Sequence, residues 1–211
     1  MIEINEQRLG YPRVSEINGK QNTEEMRSIP LDILVKASIR GTQVHAYCTT
    51  WMKNLFLPDM EPEYKPYVDA FIEWGSKNIR KVITSLERLY DDDLKFSGEP
   101  DAIVLLNDSD VPTLIDIKAT HAISKTWLLQ LSAYKHLCNK NAYPVNRIMN
   151  IHLMKSKPPK YEEREGVKVL VSPPIIKAHE ICYDAEDIRL GWEIFTSALN
   201  CYDYFYRKEG K

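Results

Sequence analysis

Apolar residues recur every three or four positions in four stretches of the chain, and this spacing predicts helices with one buried face. The four stretches are 31–55, 67–80, 125–140 and 184–207. The first is expected to form one or two helices, with a break near Gly41. Asp184 suits the N-cap of the last helix, because its short carboxylate can accept hydrogen bonds from the first turn. The first 30 residues are polar and rich in turn-forming residues, so they predict an irregular segment.

Shorter apolar runs bounded by polar residues predict strands. These runs are 82–89, 102–106, 113–118, 147–154, 167–171 and 175–182, of which the first also fits a helix, with a strand favoured. The second and third flank the turn Asn107-Asp108-Ser109-Asp110 and predict a hairpin. Lys157-Pro158-Pro159-Lys160 and the charged residues that follow are expected to form an exposed loop. The order of elements predicts an α/β fold, with a mixed central β-sheet flanked by helices.

The composition is that of an ordinary globular protein. The chain has 211 residues, of which 44% are hydrophobic and 27% charged, and this length suits one domain. No apolar run approaches the roughly 20 residues of a membrane span, and the first residues lack the order of a signal peptide. We therefore expect a cytoplasmic protein with no membrane partner.

Cysteine and charge usage narrow the range of functions. Cys48, Cys138, Cys182 and Cys201 are scattered, so they are expected to be free thiols, and an iron–sulfur cluster is not expected. The net charge of −2 counts mildly against a protein that coats nucleic acid, because such proteins are usually basic. A local basic groove could still exist beside an acidic site.

The predicted hairpin carries charged residues on strands made for burial. Alternation puts Asp116 and Lys118 on one face of their strand. If the turn centres on Ser109, paired positions sum to about 218, and Asp101 lies next to Asp116 at the roughly 5 Å spacing of neighbouring strands. Two carboxylates this close repel unless a cation lies between them. An oxygen-preferring ion, Mg²⁺ or Mn²⁺, is the expected occupant.

Pro100-Asp101 followed by Asp116-Ile117-Lys118 resembles the core signature of the PD-(D/E)XK nuclease superfamily. Other segments resemble motifs of its RecB-like and lambda-exonuclease-like branch, in the expected order along residues 11–134. They are the opening segment Tyr11 to Ile17, Gly41-x-x-x-His45, Gly98-x-x-Asp101 and Gln130-x-x-x-Tyr134. A stand-alone exonuclease of the kind that phages encode is the member this chain resembles.

The resemblance implies a restriction-endonuclease-like fold and a role for each motif residue. The implied metal ligands are His45, Asp101, Asp116 and the backbone carbonyl of Ile117, with Glu87 as an additional candidate. The implied catalytic set is Asp101, Asp116, Lys118, Gln130 and Tyr134. Lys118 would orient or help to deprotonate the attacking water and stabilise charge on the phosphate. Gln130 and Tyr134 would position Lys118 or a phosphate.

The implied function is that of a Mg²⁺- or Mn²⁺-dependent DNA exonuclease in phage or mobile-element recombination or repair. Residues 1–211 would form a single nuclease domain, with an irregular segment at 1–30, the catalytic core at 31–140, and strands and a helix at 141–211. Linear duplex or single-stranded DNA is the expected partner, together with a homo-oligomer or a single-strand annealing protein. Basic residues that could line a DNA groove are Lys125, Lys135, Arg147, Lys155, Lys157 and Lys160.

Several alternatives stay open. The chain could be an endonuclease of the same fold, a non-catalytic nucleic-acid-binding module, or an unrelated α/β enzyme in which Asp116 and Lys118 form a structural ion pair. Asp91-Asp92-Asp93 is expected to be an exposed turn rather than a metal cluster. Without a motif around them, four histidines are expected on the surface or in loops, namely His121, His136, His152 and His179. The tryptophans at 51, 74, 127 and 192 are expected in the core.

Overall fold

A computed structural model of the protein describes residue 8 and residues 10–21, 29–85, 87–164 and 166–207. The helices in these ranges are α1 (Val14–Gly19), α2 (Leu31–Met52), α3 (Lys65–Asn78), α4 (Thr126–Lys140) and α5 (Ala185–Tyr206). The strands are β1 (Ile79–Ser85), β2 (Leu89–Asp91), β3 (Phe96–Gly98), β4 (Ala102–Leu106), β5 (Ser109–Lys118), β6 (Arg147–Lys157), β7 (Lys160–Arg164), β8 (Val167–Ser172) and β9 (Ile175–Cys182).

The central sheet has five strands in the order β1-β4-β5-β6-β9. Its neighbours are antiparallel except β5 and β6, which run parallel. A parallel pair needs a long crossover between its strands, and α4 fills that crossover. The α/β fold with a mixed central sheet flanked by helices is therefore confirmed.

Helices cover both faces of the sheet and bury two apolar clusters. Ile115 and Ile117 of β5 pack in the cluster that contains residues of α2 and α3. Leu114 packs in the other, with residues of α1, α4 and α5. Because side chains alternate along a strand, Asp116 and Lys118 lie on the α4 face. The sheet thus presents its charged residues to α4 at the carboxyl end of β5.

Two N-terminal helices differ from the prediction. Helix α2 is continuous through Gly41, because Val44, Cys48 and Met52 anchor it on one buried face and an interior glycine costs only about 1 kcal/mol. Within the predicted irregular segment, α1 forms because Val14 and Ile17 are fully buried. The rest of residues 1–30 lies mostly outside the described residues.

The C-terminal elements largely match the prediction. Helix α5 begins after Asp184, whose side chain accepts a hydrogen bond from the N–H of Asp187 at 2.8 Å. The charged stretch after Pro159 was expected to be a loop, but it forms strand β7, which pairs antiparallel with β8. Backbone pairing with β8 explains the difference, and the side chains of β7 stay exposed as expected.

Two polar side chains that were expected outside are buried. His152 is only 2% exposed, and its Nε2 lies 2.9 Å from the carbonyl oxygen of Thr120. Asp91 is fully buried, whereas Asp92 and Asp93 are exposed as expected. His121 and His179 are exposed, and His136 is half-buried. The prediction of surface positions is therefore wrong for His152 and Asp91.

The expected core positions of the tryptophans are confirmed. Trp74 and Trp127 are buried, and Trp51 and Trp192 pack against the two clusters. All four cysteines have free thiols. Among the described residues, no helix has the length and apolar character needed to cross a membrane.

Asp91 is stabilised by a dense set of donors. Its Oδ1 accepts the N–H groups of Asp93 and Leu94 at 2.9 and 3.0 Å and lies 3.1 Å from the ammonium of Lys140. Its Oδ2 lies 2.7 Å from Nε2 of His136. Burial alone would raise the pKa of Asp91, but these donors lower it below its usual value.

We expect Asp91→Asn to lower the free energy of unfolding by about 2 kcal/mol at pH 7, because the Lys140 ammonium and the His136 ring lose a buried carboxylate. A lowered folded-state pKa gives stability that is present above the unfolded pKa of about 4 and lost as pH falls through the folded value. The difference in the free energy of unfolding between Asp91→Asn and the wild type should therefore become smaller at acidic pH. Urea denaturation at pH 7 and at several acidic pH values measures it.

Asp110→Asn is the matched control, because Asp110 is exposed and its variant should unfold like the wild type. An Asp91→Asn protein as stable as the wild type at pH 7 would contradict the prediction.

Candidate active site

Asp101 is held at the end of the β4–β5 hairpin. Ala102 pairs with Ile115 and Val104 with Thr113, so the register is about one residue from the predicted sum. The carboxylate Oδ2 of Asp101 accepts the backbone N–H of Ile117 at 2.7 Å. The side chain of Asp101 thus continues the hydrogen bonding of the hairpin where the backbone pairing stops.

His45 of α2 reaches the same carboxylate from the other side. Its Nδ1 lies 3.1 Å from Oδ1 of Asp101. Burial alone would lower the pKa of His45, but the charge and hydrogen bond of Asp101, together with the charge of Asp116, outweigh it and raise that pKa. Burial would raise the pKa of Asp101, and it is lowered instead because His45 and the Ile117 N–H stabilise the anion. The raised pKa of His45 and the lowered pKa of Asp101 favour an ion pair between the imidazolium and the carboxylate.

Asp116 and Lys118 pair two residues apart on β5. The ammonium of Lys118 lies 2.7 Å from Oδ2 of Asp116, whose side chain is only 2% exposed. Burial raises the pKa of Asp116; the positive charge of Lys118 opposes this, and the charge of Asp101 adds to it. The two carboxylates therefore repel each other, and each is compensated by a cation of the protein.

Helix α4 extends this arrangement with the two residues of its predicted motif. Gln130 and Tyr134 share one helical face. Lys118 donates to Oε1 of Gln130 at 2.7 Å, and Nε2 of Gln130 donates to the hydroxyl of Tyr134 at 2.9 Å. Burial raises the pKa of Tyr134, so this hydroxyl stays neutral. Gln130 therefore fixes the position of the Lys118 ammonium.

His45, Asp101, Asp116, Gln130 and Tyr134 meet at a cleft of about 490 Å³. Lys118 contacts Asp116 and Gln130 but is not among the residues that line the cleft. It is lined by residues of α1, α2, β3, β5 and α4 and of the segments that lead into α1, β2 and β4: Arg13, Ser15, Gly41, Thr42, His45, Thr49, Arg88, Gly98, Glu99, Pro100, Asp101, Asp116, Gln130 and Tyr134. Arg13 and Arg88 were not singled out from the sequence, although Arg13 lies inside the opening motif. Two arginines beside carboxylates give the cleft groups that can bind a phosphate.

The structure does not bring every predicted residue to the cleft. Glu87 is exposed in the connection between β1 and β2 and is not among the lining residues. The basic residues that were candidates for a DNA groove also lie in separate places. Arg147 begins β6 and pairs with Asp108 at the hairpin turn, whereas Lys157 ends this strand of 11 residues. At about 3.3 Å per residue these two lie roughly 33 Å apart.

The donor set of the cleft fits a divalent cation in its chemistry. Carboxylate oxygens are the preferred ligands of Mg²⁺ and Mn²⁺, and imidazole suits several divalent metals. The N–H of Ile117 donates to Asp101. The N–H and C=O of a strand residue point to the same side of the strand. The carbonyl of Ile117 therefore points to the same side as Asp101. Among the described residues, no three His, Cys, Asp or Glu side chains form a ready-made metal cluster. An ion would therefore replace contacts that His45 and Lys118 make now.

No protein-family model and no curated protein matches the sequence. In structure, the chain is similar to a candidate exonuclease from Eubacterium rectale, with a TM-score of 0.49 and 8% identity over 94% of this chain and 85% of that one. It is also similar to LHK-Exo, an alkaline exonuclease from Laribacter hongkongensis, at 12% identity over 95% of this chain and 93% of that one. The TM-scores are 0.41 for one LHK-Exo structure and 0.40 for its complex with dAMP. The function of the cleft is therefore inferred from its own residues.

Gly98 of the predicted motif is required by close packing against α4. A Cβ atom at this position would lie 2.6 Å from Cε1 of Tyr134 and 3.0 Å from Cδ1 of Leu137. Both neighbours are buried, so neither can move away without disturbing its surroundings. A side chain at 98 would push on the ring whose hydroxyl bonds to Gln130.

We expect Gly98→Ala to lower the free energy of unfolding by about 2 kcal/mol, because an added methyl overpacks this interface. Gly19→Ala is the control, since a Cβ there meets nothing within 4 Å. Urea denaturation of both variants measures the difference. Equal midpoints and slopes for Gly98→Ala and the wild type would show that the interface can absorb the methyl group.

Proposed function

We propose that this chain is a metal-dependent deoxyribonuclease that hydrolyses phosphodiester bonds and degrades linear DNA from its ends. The observation that carries the proposal is the convergence of His45, Asp101 and Asp116 on one cleft, with Lys118 paired to Asp116 and hydrogen-bonded to Gln130. These residues come from α2, from the loop that leads into β4, from β5 and from α4. Their sequence motifs, read independently, point to the same chemistry.

A divalent cation would be held by Asp101 and Asp116, with His45 and the carbonyl of Ile117 as further ligands. When bound, such an ion lowers the pKa of a coordinated water and offsets charge on the phosphate oxygens. The buried setting of Asp116 supports this role, because a second carboxylate nearby makes cation binding favourable.

Lys118 is proposed to orient the attacking water and to stabilise the negative charge that builds up on the phosphate. Its ammonium is already held by Gln130, and release from Asp116 on cation binding would leave it free to contact a phosphate oxygen. Gln130 and Tyr134 would keep it at the edge of the cleft. Arg13 and Arg88 would bind phosphates next to the scissile one.

A non-catalytic nucleic-acid-binding module is the rival from another class. It gains nothing from a costly pair of buried carboxylates, because burying charge destabilises a fold unless the charge is compensated. It would bind DNA without cutting it, and the loss of Lys118 would leave its binding intact. A role in recombination or repair in a phage or mobile element belongs to the proposal and rests on the resemblance alone.

We expect Asp116→Asn and Lys118→Ala each to reduce cleavage of linear DNA by a factor on the order of 10² or more, because each removes a group that acts on the reacting phosphate. A chelator should abolish cleavage, and added Mn²⁺ should restore it. The measurement uses duplex and single-stranded DNA labelled at the 5′ or 3′ end, with and without Mn²⁺.

The matched control is Asp110→Asn, which removes an exposed carboxylate at the far end of the same strand and should leave cleavage unchanged. In parallel, Asp101→Ala should bind Mn²⁺ more weakly than the wild type in calorimetric titration. Equal Mn²⁺ affinity of these two proteins would remove the proposed metal site, and metal-independent cleavage would remove the mechanism.

A separate digestion distinguishes an exonuclease from an endonuclease of the same fold. We expect linear DNA to be degraded while covalently closed circles of the same sequence survive, because an exonuclease needs an end. Gel electrophoresis of both substrates over the same time course checks this. Circles cut as fast as linear DNA would establish the endonuclease instead.

A further inference from the structure

Asp116 has a second partner that no sequence motif indicated. Asn150 lies directly beside it in the parallel pairing of β5 and β6 and is fully buried. Its Nδ2 donates to Oδ2 of Asp116 at 2.8 Å. Lys118 contacts the same oxygen. Among the described residues, both contacts therefore end on Oδ2, and Oδ1 is the oxygen left for a ligand in the cleft.

The carboxylate of Asp116 fixes which way the Asn150 amide faces, and Tyr183 holds the other end of that amide. The hydroxyl of Tyr183, in the residue after β9, donates to Oδ1 of Asn150 at 2.8 Å. An amide oxygen can only accept and an amide nitrogen can only donate. An ionised carboxylate can only accept, so it requires the amide nitrogen on its side, and the Tyr183 hydroxyl then donates to the amide oxygen on the other side. If the amide turned over, its NH₂ would face Tyr183 and its oxygen would face an anion.

We propose that Asn150 and Tyr183 are positioning residues, which hold the Asp116 carboxylate by Oδ2 and so present Oδ1 to the cleft. The three side chains form a relay from Tyr183 through Asn150 to Asp116. This inference rests on the proposed function, because it assigns the relay a task at the proposed cation site. Neither Asn150 nor Tyr183 is among the residues that line the cleft.

The burial of the relay supports a positioning task. A buried amide without partners costs about 1–3 kcal/mol, so its geometry is strongly determined once both partners are in place. Partners that orient a metal-binding carboxylate typically contribute about 10- to 100-fold to metal affinity or activity. The relay also starts outside the motif-bearing part of the chain, so it ties the C-terminal strands to the site.

The test measures Mn²⁺ affinity by calorimetry, and kcat and KM on linear DNA. The variants are Asn150→Ala, Tyr183→Phe and the double variant. We expect Asn150→Ala to bind Mn²⁺ about 10- to 100-fold more weakly, and Tyr183→Phe to show a smaller loss. The double variant should be no worse than Asn150→Ala, because Tyr183 acts through Asn150. The lost activity should appear in kcat, with KM for DNA unchanged.

Two controls remove a similar group elsewhere. Tyr47→Phe deletes a hydroxyl that donates to the carbonyl of Asp59, and Asn141→Ala deletes an amide that donates to the carbonyls of Tyr90 and Leu137. Both should keep wild-type Mn²⁺ affinity. Additive losses in the double variant, or unchanged affinity in Asn150→Ala, would overturn the relay.

Crystal structures of the wild type and of the conservative variant Tyr183→Phe, both without metal, give a readout that does not depend on the nuclease activity. We expect the Asp116 carboxylate to turn or to become disordered in the variant. A carboxylate in its wild-type position in the variant shows that the relay serves only stability, and overturns the inference. A wild-type protein that neither binds Mn²⁺ nor cuts DNA would instead contradict the proposed function. The crystal comparison would still test whether Asn150 and Tyr183 position the Asp116 carboxylate.

Discussion

The site depends on the need to compensate two carboxylates that are buried next to each other. Asp101 and Asp116 lie at one end of the β4–β5 hairpin, where neither can be fully hydrated. Their charge is balanced by His45 from α2 and by Lys118 from β5 itself. A second link joins the same elements, because the guanidinium of Arg40 donates to the carbonyl of Ala119 just beyond β5. These contacts thus tie α2 to the end of the β4–β5 hairpin.

Much of the fold and of the site could be predicted because the signals are local. The hairpin follows from two apolar runs around a polar turn, and the shared face of Asp116 and Lys118 follows from strand alternation alone. Gln130 and Tyr134 are four residues apart on a helix, so their common face is independent of tertiary context. His45 required more, since only its motif indicated that this helix would reach the hairpin.

What could not be predicted depends on contacts between distant segments. The hairpin register was off by about one residue because a turn of unknown type can be centred on either of two neighbouring positions. The buried state of Asp91 depends on Lys140 and His136, nearly 50 residues away in sequence. Asn150 did leave a signal, namely a polar residue within the apolar run of β6. A buried polar residue on a strand adjacent to a charged one indicates a partner across the sheet.

The ribbon formed by β7 and β8 has a different relation to the fold. None of its residues belongs to either apolar cluster, and both of its strands are exposed. Substitutions there meet almost none of the constraints that hold the core, so the ribbon is free to diverge in evolution. It offers this architecture a place where new surface chemistry can be acquired at little cost to folding.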